Sequence, residues 1–135
     1  MASDGQSGRV TVSAERPWTE IVGYSRAVRR GGFVEVAGTS ATRADGTVVA
    51  PGNPYEQARY ILDEIVRALE SVGATTSDVV RTRVYLTDID QWQDVGRAHG
   101  EVFGRVRPTS TFVEVSRLLL PEHLVEIEAT AICAE

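Results

Sequence analysis

The chain has 135 residues, of which 42% are hydrophobic and 24% charged, and its net charge is −5. This length suits one domain, residues 1–135, with one core, and the acidic balance disfavours a nucleic-acid binder, which needs a basic face. No apolar run approaches the roughly 18 residues that cross a bilayer, and the polar stretch of residues 1–9 lacks the features of a signal peptide, so we expect a cytoplasmic protein.

Cysteine and histidine are scarce and scattered in this sequence. Cys133 is the one cysteine, which excludes an internal disulfide, and His99 and His123 have no companions at metal-ligand spacing. No phosphate-binding loop, dinucleotide fingerprint or nucleophile elbow appears. We therefore expect neither a metal nor a cofactor, and a small-molecule site built from strand ends and subunit edges.

The first third of the chain predicts three strands. Arg9–Ser13 alternates weakly between polar and apolar residues, and residues 25–28 and 33–37 follow as two further strands. Gly31 and Gly32 lie between these two segments and tolerate the positive φ of a tight turn, so the pair is predicted to form a β-hairpin.

A long amphipathic helix is predicted over residues 54–72. Asn53 is a favourable N-cap, Pro54 suits the first helical position, and Gly73 is suited to end the helix. Apolar residues recur at steps of three and four positions, which places on one face Ala58, Ile61, Leu62, Ile65, Ala68, Leu69 and Val72. That stripe predicts a helix packed on a sheet.

The second half of the chain predicts a strand, a helix and two further strands. The strand covers residues 78–87, the helix covers residues 90–103 with Asp90 as its cap, and the last strands cover residues 110–116 and 124–133. The order βββ-α-β-α-ββ indicates an α+β fold in which two helices cover one face of a mixed sheet. The other face would carry valine and isoleucine side chains, so we expect self-association.

The last strand carries the candidate catalytic group. Because side chains alternate along a strand, Glu126 and Glu128 share one face, while Val125 and Ile127 share the other. A carboxylate near a subunit boundary can be partly desolvated, which raises its pKa towards the range useful for proton transfer. The alternative is a pair of solvated or ion-paired glutamates on an ordinary strand.

Further candidates lie near the first strands and on the second helix. Tyr24 offers a hydroxyl to a pocket or packs half-buried, and Arg26 either binds a substrate carboxylate through two bonds or pairs with a neighbouring strand. Trp92 and His99 are seven positions apart and share a helix face. They form either a general base beside an aromatic wall or a helix surface packed on the sheet.

Five segments, in this order along the chain, resemble the RidA/YjgF family. They are residues 21–28 (IVGYSRAV), 36–40 (VAGTS), 73–74 with 78–82, 107–115 (RPTSTFVEV) and 124–129 (LVEIEA). The resemblance extends over essentially the whole chain. It implies a chorismate-mutase-like α+β fold, assembled as a homotrimer with a barrel-like core and a small-molecule cleft between neighbouring subunits.

The resemblance also implies a chemistry. Deaminating members of that family hydrolyse reactive enamines and imines to keto acids and ammonia, with an arginine that holds the substrate carboxylate and a glutamate that positions water. By position, Glu126 corresponds to that glutamate and Tyr24 to the family's pocket tyrosine. Gly38 and Thr39 correspond to its backbone and hydroxyl contacts.

The family's arginine is absent from this chain. Counting from Pro108, its place is held by Ser110, and Phe112 stands where the family frequently has a cysteine. A serine cannot replace a planar, permanently charged guanidinium fork, so standard 2-aminoacrylate deamination is disfavoured. Either Arg26 or Arg107 restores an anion site from another direction, or the pocket accepts a ligand without a carboxylate.

Two functions are therefore open from the sequence. The first is hydrolysis of a C=N or related bond in a small metabolite, in a cleft where Glu126 orients water and Tyr24 or Thr39 steadies the substrate. Trp92 is a further candidate for substrate binding. The second is a non-catalytic trimer that binds a metabolite or another protein. Chorismate-mutase chemistry rests on shared architecture alone and would need several convergent arginines.

Overall fold

The computed structural model describes residues 2–3 and 8–134, in which seven strands form one mixed sheet with the longer helices packed against it. The strands are β1 (Ala2–Ser3), β2 (Arg9–Ser13), β3 (Ser25–Arg30), β4 (Phe33–Ser40), β5 (Val79–Leu86), β6 (Thr109–Glu114) and β7 (Val125–Ile132). The helices are α1 (Thr19–Val22), α2 (Pro54–Ser71) and α3 (Trp92–Phe103). This arrangement confirms the predicted α+β class.

The strands lie in the order β1-β2-β3-β4-β7-β5-β6. Neighbours run antiparallel except for β5 and β6, which are parallel. The predicted hairpin is confirmed as β3 and β4, which are longer than expected and pair from Arg30 opposite Phe33. Gly31 has a φ of 59° in the two-residue turn between them, a conformation that favours glycine.

The core lies between the sheet and α2. The side chain of Asn53 accepts a hydrogen bond from the backbone N–H of Glu56 at 3.0 Å, and Pro54 begins the helix, as the sequence predicts. The helix ends at Ser71, one residue early, and Gly73 follows with a φ of 78°. Fully buried side chains along its inner face are Ala58, Ile61, Leu62, Ile65 and Leu69.

The start of the second long helix differs from the sequence prediction. Asp90 does not cap α3, because Ile89–Gln91 forms a separate turn of 3-10 helix before it. The carboxylate of Asp88 accepts a hydrogen bond from the backbone N–H of Asp90 at 3.0 Å and so caps that turn instead. The sequence patterns also missed β1 and the four-residue α1, both of which are too short to show a periodic signal.

The two faces of the sheet differ in character. Val125, Ile127 and alternate residues beyond them on β7 are buried against the helices, whereas Glu126 and Glu128 lie on the opposite, open face. Phe33 of β4 pairs with Ile132 of β7, and both side chains remain more than half exposed. The open face therefore carries both the candidate glutamates and apolar side chains.

Within the described residues, no helix combines the length and apolar character that a membrane span requires.

Candidate functional site

Glu126 lies beside an irregular segment of β4. The β4–β7 register passes from Val36 opposite Ala129 to Thr39 opposite Ile127, which leaves one extra residue on β4 and defines a β-bulge around Gly38. A Cβ atom added to Gly38 would lie 2.8 Å from Oε2 of Glu126. The absence of a side chain at Gly38 therefore leaves room for the Glu126 carboxylate. The bulge brings together two residues that the sequence analysis had identified separately.

The environment of Glu126 makes its ionisation less favourable than in water. Burial raises the pKa of Glu126, the nearby Glu128 carboxylate raises it further, and the Arg26 charge opposes both effects. Within the described chain, no basic side chain lies within 4.0 Å of the Glu126 carboxylate. Glu128 is different, because its Oε1 atom lies 3.1 Å from Nη1 of Arg83 and accepts a hydrogen bond from the Tyr85 hydroxyl at 2.7 Å. Glu128 is thus the ion-paired member of the two.

Arg26 is buried behind the bulge. It lies where the β2–β3 register is broken, with only 7% of the residue exposed. Its Nη1 atom donates a hydrogen bond to Oγ1 of Thr39 at 2.8 Å, and that hydroxyl donates to the carbonyl oxygen of Ala37 at 2.8 Å. Arg26, Gly38, Thr39 and Glu126 thus form one group, which we call the Glu126 cluster.

Tyr24 lies close enough to Arg26 for the two groups to interact electrostatically. The tyrosine is half-buried, and its hydroxyl accepts a hydrogen bond from Nε1 of Trp18 at 2.9 Å. Trp18 was missed by the sequence reasoning, although an indole six residues before a candidate tyrosine was a usable signal. The indole fixes the position of the hydroxyl that the resemblance places in a pocket.

Trp92 and Phe112 line a separate cavity of about 380 Å³ between α3 and the edge strand β6. Its other lining residues are Ile89, Gly96, His99, Gly100 and Ser110. The rings of His99 and Phe112 meet edge to face with centroids 5.9 Å apart, and the Trp92 side chain is half exposed. We call this space the Trp92 cavity, and it has no charged side chain in its lining.

A chain of hydrogen bonds supports one wall of the Trp92 cavity. The Thr82 hydroxyl donates to Oγ of Ser110 at 2.8 Å and lies 2.8 Å from Nε2 of His99. Because the threonine proton goes to Ser110, His99 donates from Nε2, and Nδ1 is left as an acceptor. Burial lowers the pKa of His99, which keeps the imidazole neutral at pH 7. Thr82 has no signal in the sequence, since only the strand register places it beside Ser110.

The Glu126 cluster and the Trp92 cavity lie on opposite faces of the sheet. Glu126 is in register with Tyr85 of β5, and Tyr85 with Val113 of β6, so these side chains share the open face. Ser110 instead pairs with Thr82, which points towards α3. One ligand can touch both groups only if two chains supply them.

The remaining predicted site residue, Arg107, lies outside both groups. It is exposed, has a φ of 55°, and donates from Nε to the carbonyl oxygen of Gly104 at 3.1 Å. This hydrogen bond provides a partner for the backbone carbonyl group that follows the end of α3.

The described residues contain no group of three potential metal ligands. The buried His123 is held by the structure itself, with its Nε2 atom 2.7 Å from Oγ1 of Thr42 and its Nδ1 atom accepting from the backbone N–H of Leu120 at 3.2 Å. This histidine therefore stabilises the loop before β7.

Sequence comparisons link the chain to proteins of similar length. The family model described as Endoribonuclease L-PSP matches residues 14–133. An uncharacterized protein of Streptomyces coelicolor is 38% identical over 120 residues, which are 89% of this chain and 89% of that protein. A RutC family protein of Pyrococcus abyssi is 35% identical over 108 residues, covering 80% of this chain and 84% of the relative.

Solved structures show the same similarity. Rv2704 of Mycobacterium tuberculosis, described as a member of the YjgF/YER057c/UK114 family, aligns with a TM-score of 0.82 and 46% identity. That alignment covers 92% of this chain and 98% of the mycobacterial one. A Thermotoga maritima structure aligns with a TM-score of 0.78 and 30% identity over 93% of each chain.

Proposed function

This chain belongs to the Endoribonuclease L-PSP family, which includes the YjgF/RidA proteins, and from that premise we propose that it hydrolyses a C=N bond in a small metabolite. The observation that carries this proposal is the Glu126 carboxylate. It is partly buried, has a raised pKa, and contacts the bulge at Gly38 without an ion-pair partner within 4.0 Å in the described residues. A carboxylate in that state is suited to accept a proton from water.

The proposed reaction uses water as the nucleophile. The ionised Glu126 accepts a proton from a water molecule while the water oxygen bonds to the imine carbon, and the nitrogen then receives that proton. The resulting carbinolamine passes its hydroxyl proton through the Glu126 carboxylate to the nitrogen. The C–N bond then breaks as the carbonyl forms, ammonia or an amine leaves, and the carboxylate is regenerated. The Tyr24 hydroxyl would steady the substrate. The Thr39 hydroxyl is fully buried and bonded to Arg26 and to the Ala37 carbonyl oxygen, so it would hold the arginine in place rather than touch the substrate. No cofactor or metal is required by these steps.

We propose that the preferred substrate lacks a carboxylate near the reacting bond. Ser110 lines a cavity without charged side chains. By the family resemblance, it stands where deaminating members have their arginine. Loss of a desolvated charge pair typically costs about 2–5 kcal/mol of binding. In an assay of ammonia release, neutral imines should therefore be hydrolysed with higher kcat/KM than imino acids of the same size. Equal or better turnover of the imino acids would contradict this substrate class.

We propose that the working assembly is a cytoplasmic homotrimer of single-domain subunits with clefts between them. The opposite placement of Glu126 and Ser110 supports this, since a ligand in contact with both requires two chains. The exposed pair of Phe33 and Ile132 on the open sheet face supplies an apolar surface for association. Sedimentation equilibrium should give three times the chain mass, and a monomer at assay concentrations would contradict the assembly. The proposed partners are small molecules rather than nucleic acid or membranes.

The pH dependence of turnover should report the environment of Glu126. As a base it must be ionised, so kcat/KM should rise with pH through the Glu126 pKa, which burial places above the usual value of about 4.3 for glutamate. Arg26→Gln removes the charge that lowers this pKa and should move the rise to higher pH. Glu128→Gln removes a charge that raises it and should move the rise to lower pH. Measured pH–rate profiles that do not shift in opposite directions would contradict the assignment.

A second candidate function is binding of a neutral ligand without turnover, and the Trp92 cavity favours it. Phe112 and Trp92 provide apolar walls, and Ser110 and His99 provide uncharged polar groups. Neutral aromatic molecules fit this chemistry, whereas an anion would lose its hydration without a positive partner.

Tryptophan fluorescence can measure this binding. The chain has two tryptophans, so Trp18→Phe leaves Trp92 as the reporter. We expect benzamide to change the Trp92 emission in a saturable way. Benzoate, its anionic isostere, should bind with an affinity lower by about tenfold or more. Ser110→Arg supplies a guanidinium and should reverse the order of the two probes. Equal binding of both probes to the chain with Ser110 would contradict a neutral site.

A further inference from the structure

A polar cavity of about 310 Å³ lies between the end of β2 and the exposed side of α2. We call it the arginine cleft and define it by Arg16, Arg26, Tyr60, Glu64 and Arg67, all of which line it. The cleft shares only Arg26 with the Glu126 cluster and no residue with the Trp92 cavity. Its volume is at the lower end of the range for ligand pockets, which suits a small metabolite.

Positive charge exceeds negative charge in the arginine cleft. Oε1 of Glu64 lies 3.0 Å from Nη2 of Arg67 and 3.7 Å from Nη2 of Arg16, so one carboxylate oxygen serves two guanidinium groups. With Arg26 and the exposed Glu15, the lining has three positive and two negative side chains. The excess is opposite in sign to the net charge of −5 on the whole chain.

Arg26 is the cation whose charge is least compensated by contact. Only 7% of this residue is exposed, and its Nη1 atom donates to the neutral Thr39 hydroxyl. In the part of the chain that the structure describes, no carboxylate oxygen lies within 4.0 Å of its guanidinium. Glu64 and Glu126 act on it only at longer range, and burial lowers the pKa of Arg26. Buried charges are normally paired, so the cleft lacks a contacting counter-charge.

Arg16, Arg67 and Tyr60 add further hydrogen-bond donors to the lining. Burial and the neighbouring Glu64 raise the pKa of Tyr60, so its hydroxyl keeps its proton at neutral pH. Guanidinium groups present paired N–H donors whose spacing matches the oxygens of a carboxylate or a phosphate. An oxyanion would supply the missing negative charge and accept these hydrogen bonds together.

We propose that the arginine cleft binds the carboxylate or phosphate group of a small metabolite, with Arg26 and Arg67 as its principal contacts. The excess of positive charge in the lining favours a small anion of either kind. This proposal does not rest on the hydrolysis assigned to Glu126, although Arg26 belongs to both groups.

The test is calorimetric titration of the full chain with malonate and, separately, with inorganic phosphate, each against sodium chloride at equal ionic strength. We expect saturable binding of at least one probe. Arg67→Gln should weaken it about tenfold or more, because a charge-assisted contact is lost. Arg97→Gln is the matched control, since Arg97 also lies exposed on a helix in an i, i+3 ion pair, 3.5 Å from Asp94, and it should leave the affinity unchanged.

Binding by malonate alone identifies a carboxylate site, and binding by phosphate alone identifies a phosphate site. Absence of saturable heat for both probes would overturn the proposal, as would equal affinity in Arg67→Gln and the unsubstituted chain. Glu126→Gln should bind the probe at least as tightly as the unsubstituted chain, because it removes a negative charge that acts on Arg26. A failed hydrolysis assay and a failed binding assay are therefore distinguishable.

Discussion

Replacing Glu126 by glutamine is expected to lower kcat for C=N hydrolysis about 100-fold or more. The amide has nearly the same shape as the carboxylate but cannot accept the proton of the attacking water, and a positioned base typically contributes about 10²–10⁴ in rate. Steady-state ammonia release at pH 7 measures the effect. Glu128→Gln is the matched control, because Glu128 lies on the same strand face but is held by Arg83 and Tyr85. It should retain turnover within a few-fold.

The same Glu126→Gln variant should be more stable than the unsubstituted chain at neutral pH. Burial raises the folded-state pKa of Glu126, so the folded chain binds the proton more tightly than the unfolded chain does. The contribution of this group to stability is therefore present below the unfolded pKa of about 4.3 and is lost as pH rises through the folded pKa. The difference in Tm should be visible at pH 7 and disappear near pH 4. Lower stability combined with normal turnover would remove Glu126 from the mechanism.

Gly38→Ala should reduce turnover about 100-fold while leaving the fold intact. The new Cβ atom would lie 2.8 Å from Oε2 of Glu126, and the flexible carboxylate, rather than the backbone, would move away. A displacement of about 1 Å in a catalytic group can cost about 10² in rate. Gly38 does not have a positive φ, so alanine is tolerated and the free energy of unfolding should change by less than about 1 kcal/mol. Steady-state kinetics of this variant test the expected loss of turnover, and chemical denaturation tests the expected small change in stability.

Gly52→Ala is the control for a general effect of removing a glycine. Gly52 has a φ of 81° and nothing within 4 Å of an added Cβ, so alanine there introduces backbone strain without displacing a side chain. This variant should lose stability and keep its kcat. If Gly38→Ala behaved in the same way, the contact between Gly38 and Glu126 would have no positioning role.

Local patterns predicted the elements of the fold more fully than the site. The stripe from Ala58 to Leu69 and the alternation from Val125 to Ala131 depend on neighbours along the chain, so their period is visible in the sequence. The start of α3 was misplaced because Asp88 and Asp90 are both good caps, and only the 3-10 turn decides between them.

The site was only partly predictable because it depends on register between strands. The pattern of β7 placed Glu126 on one face, but the bulge that brings Gly38 against it arises from pairing with a strand far earlier in the chain. In the same way, the relative phase of β6 and β7, which puts Ser110 and Glu126 on opposite faces, is set by β5 between them. Arg26 gave no sign of its burial, because arginine is mostly exposed in proteins.

The alternation along β6 has a consequence for how such a protein diversifies. Ser110 and Phe112 line the Trp92 cavity, while Thr111 and Val113 point to the other side of the same short strand. Mutational drift at the first pair can therefore change which molecules enter the cavity without touching the second pair. Ligand choice and the character of the open sheet surface can therefore change by independent mutations, although adjacent codons encode them.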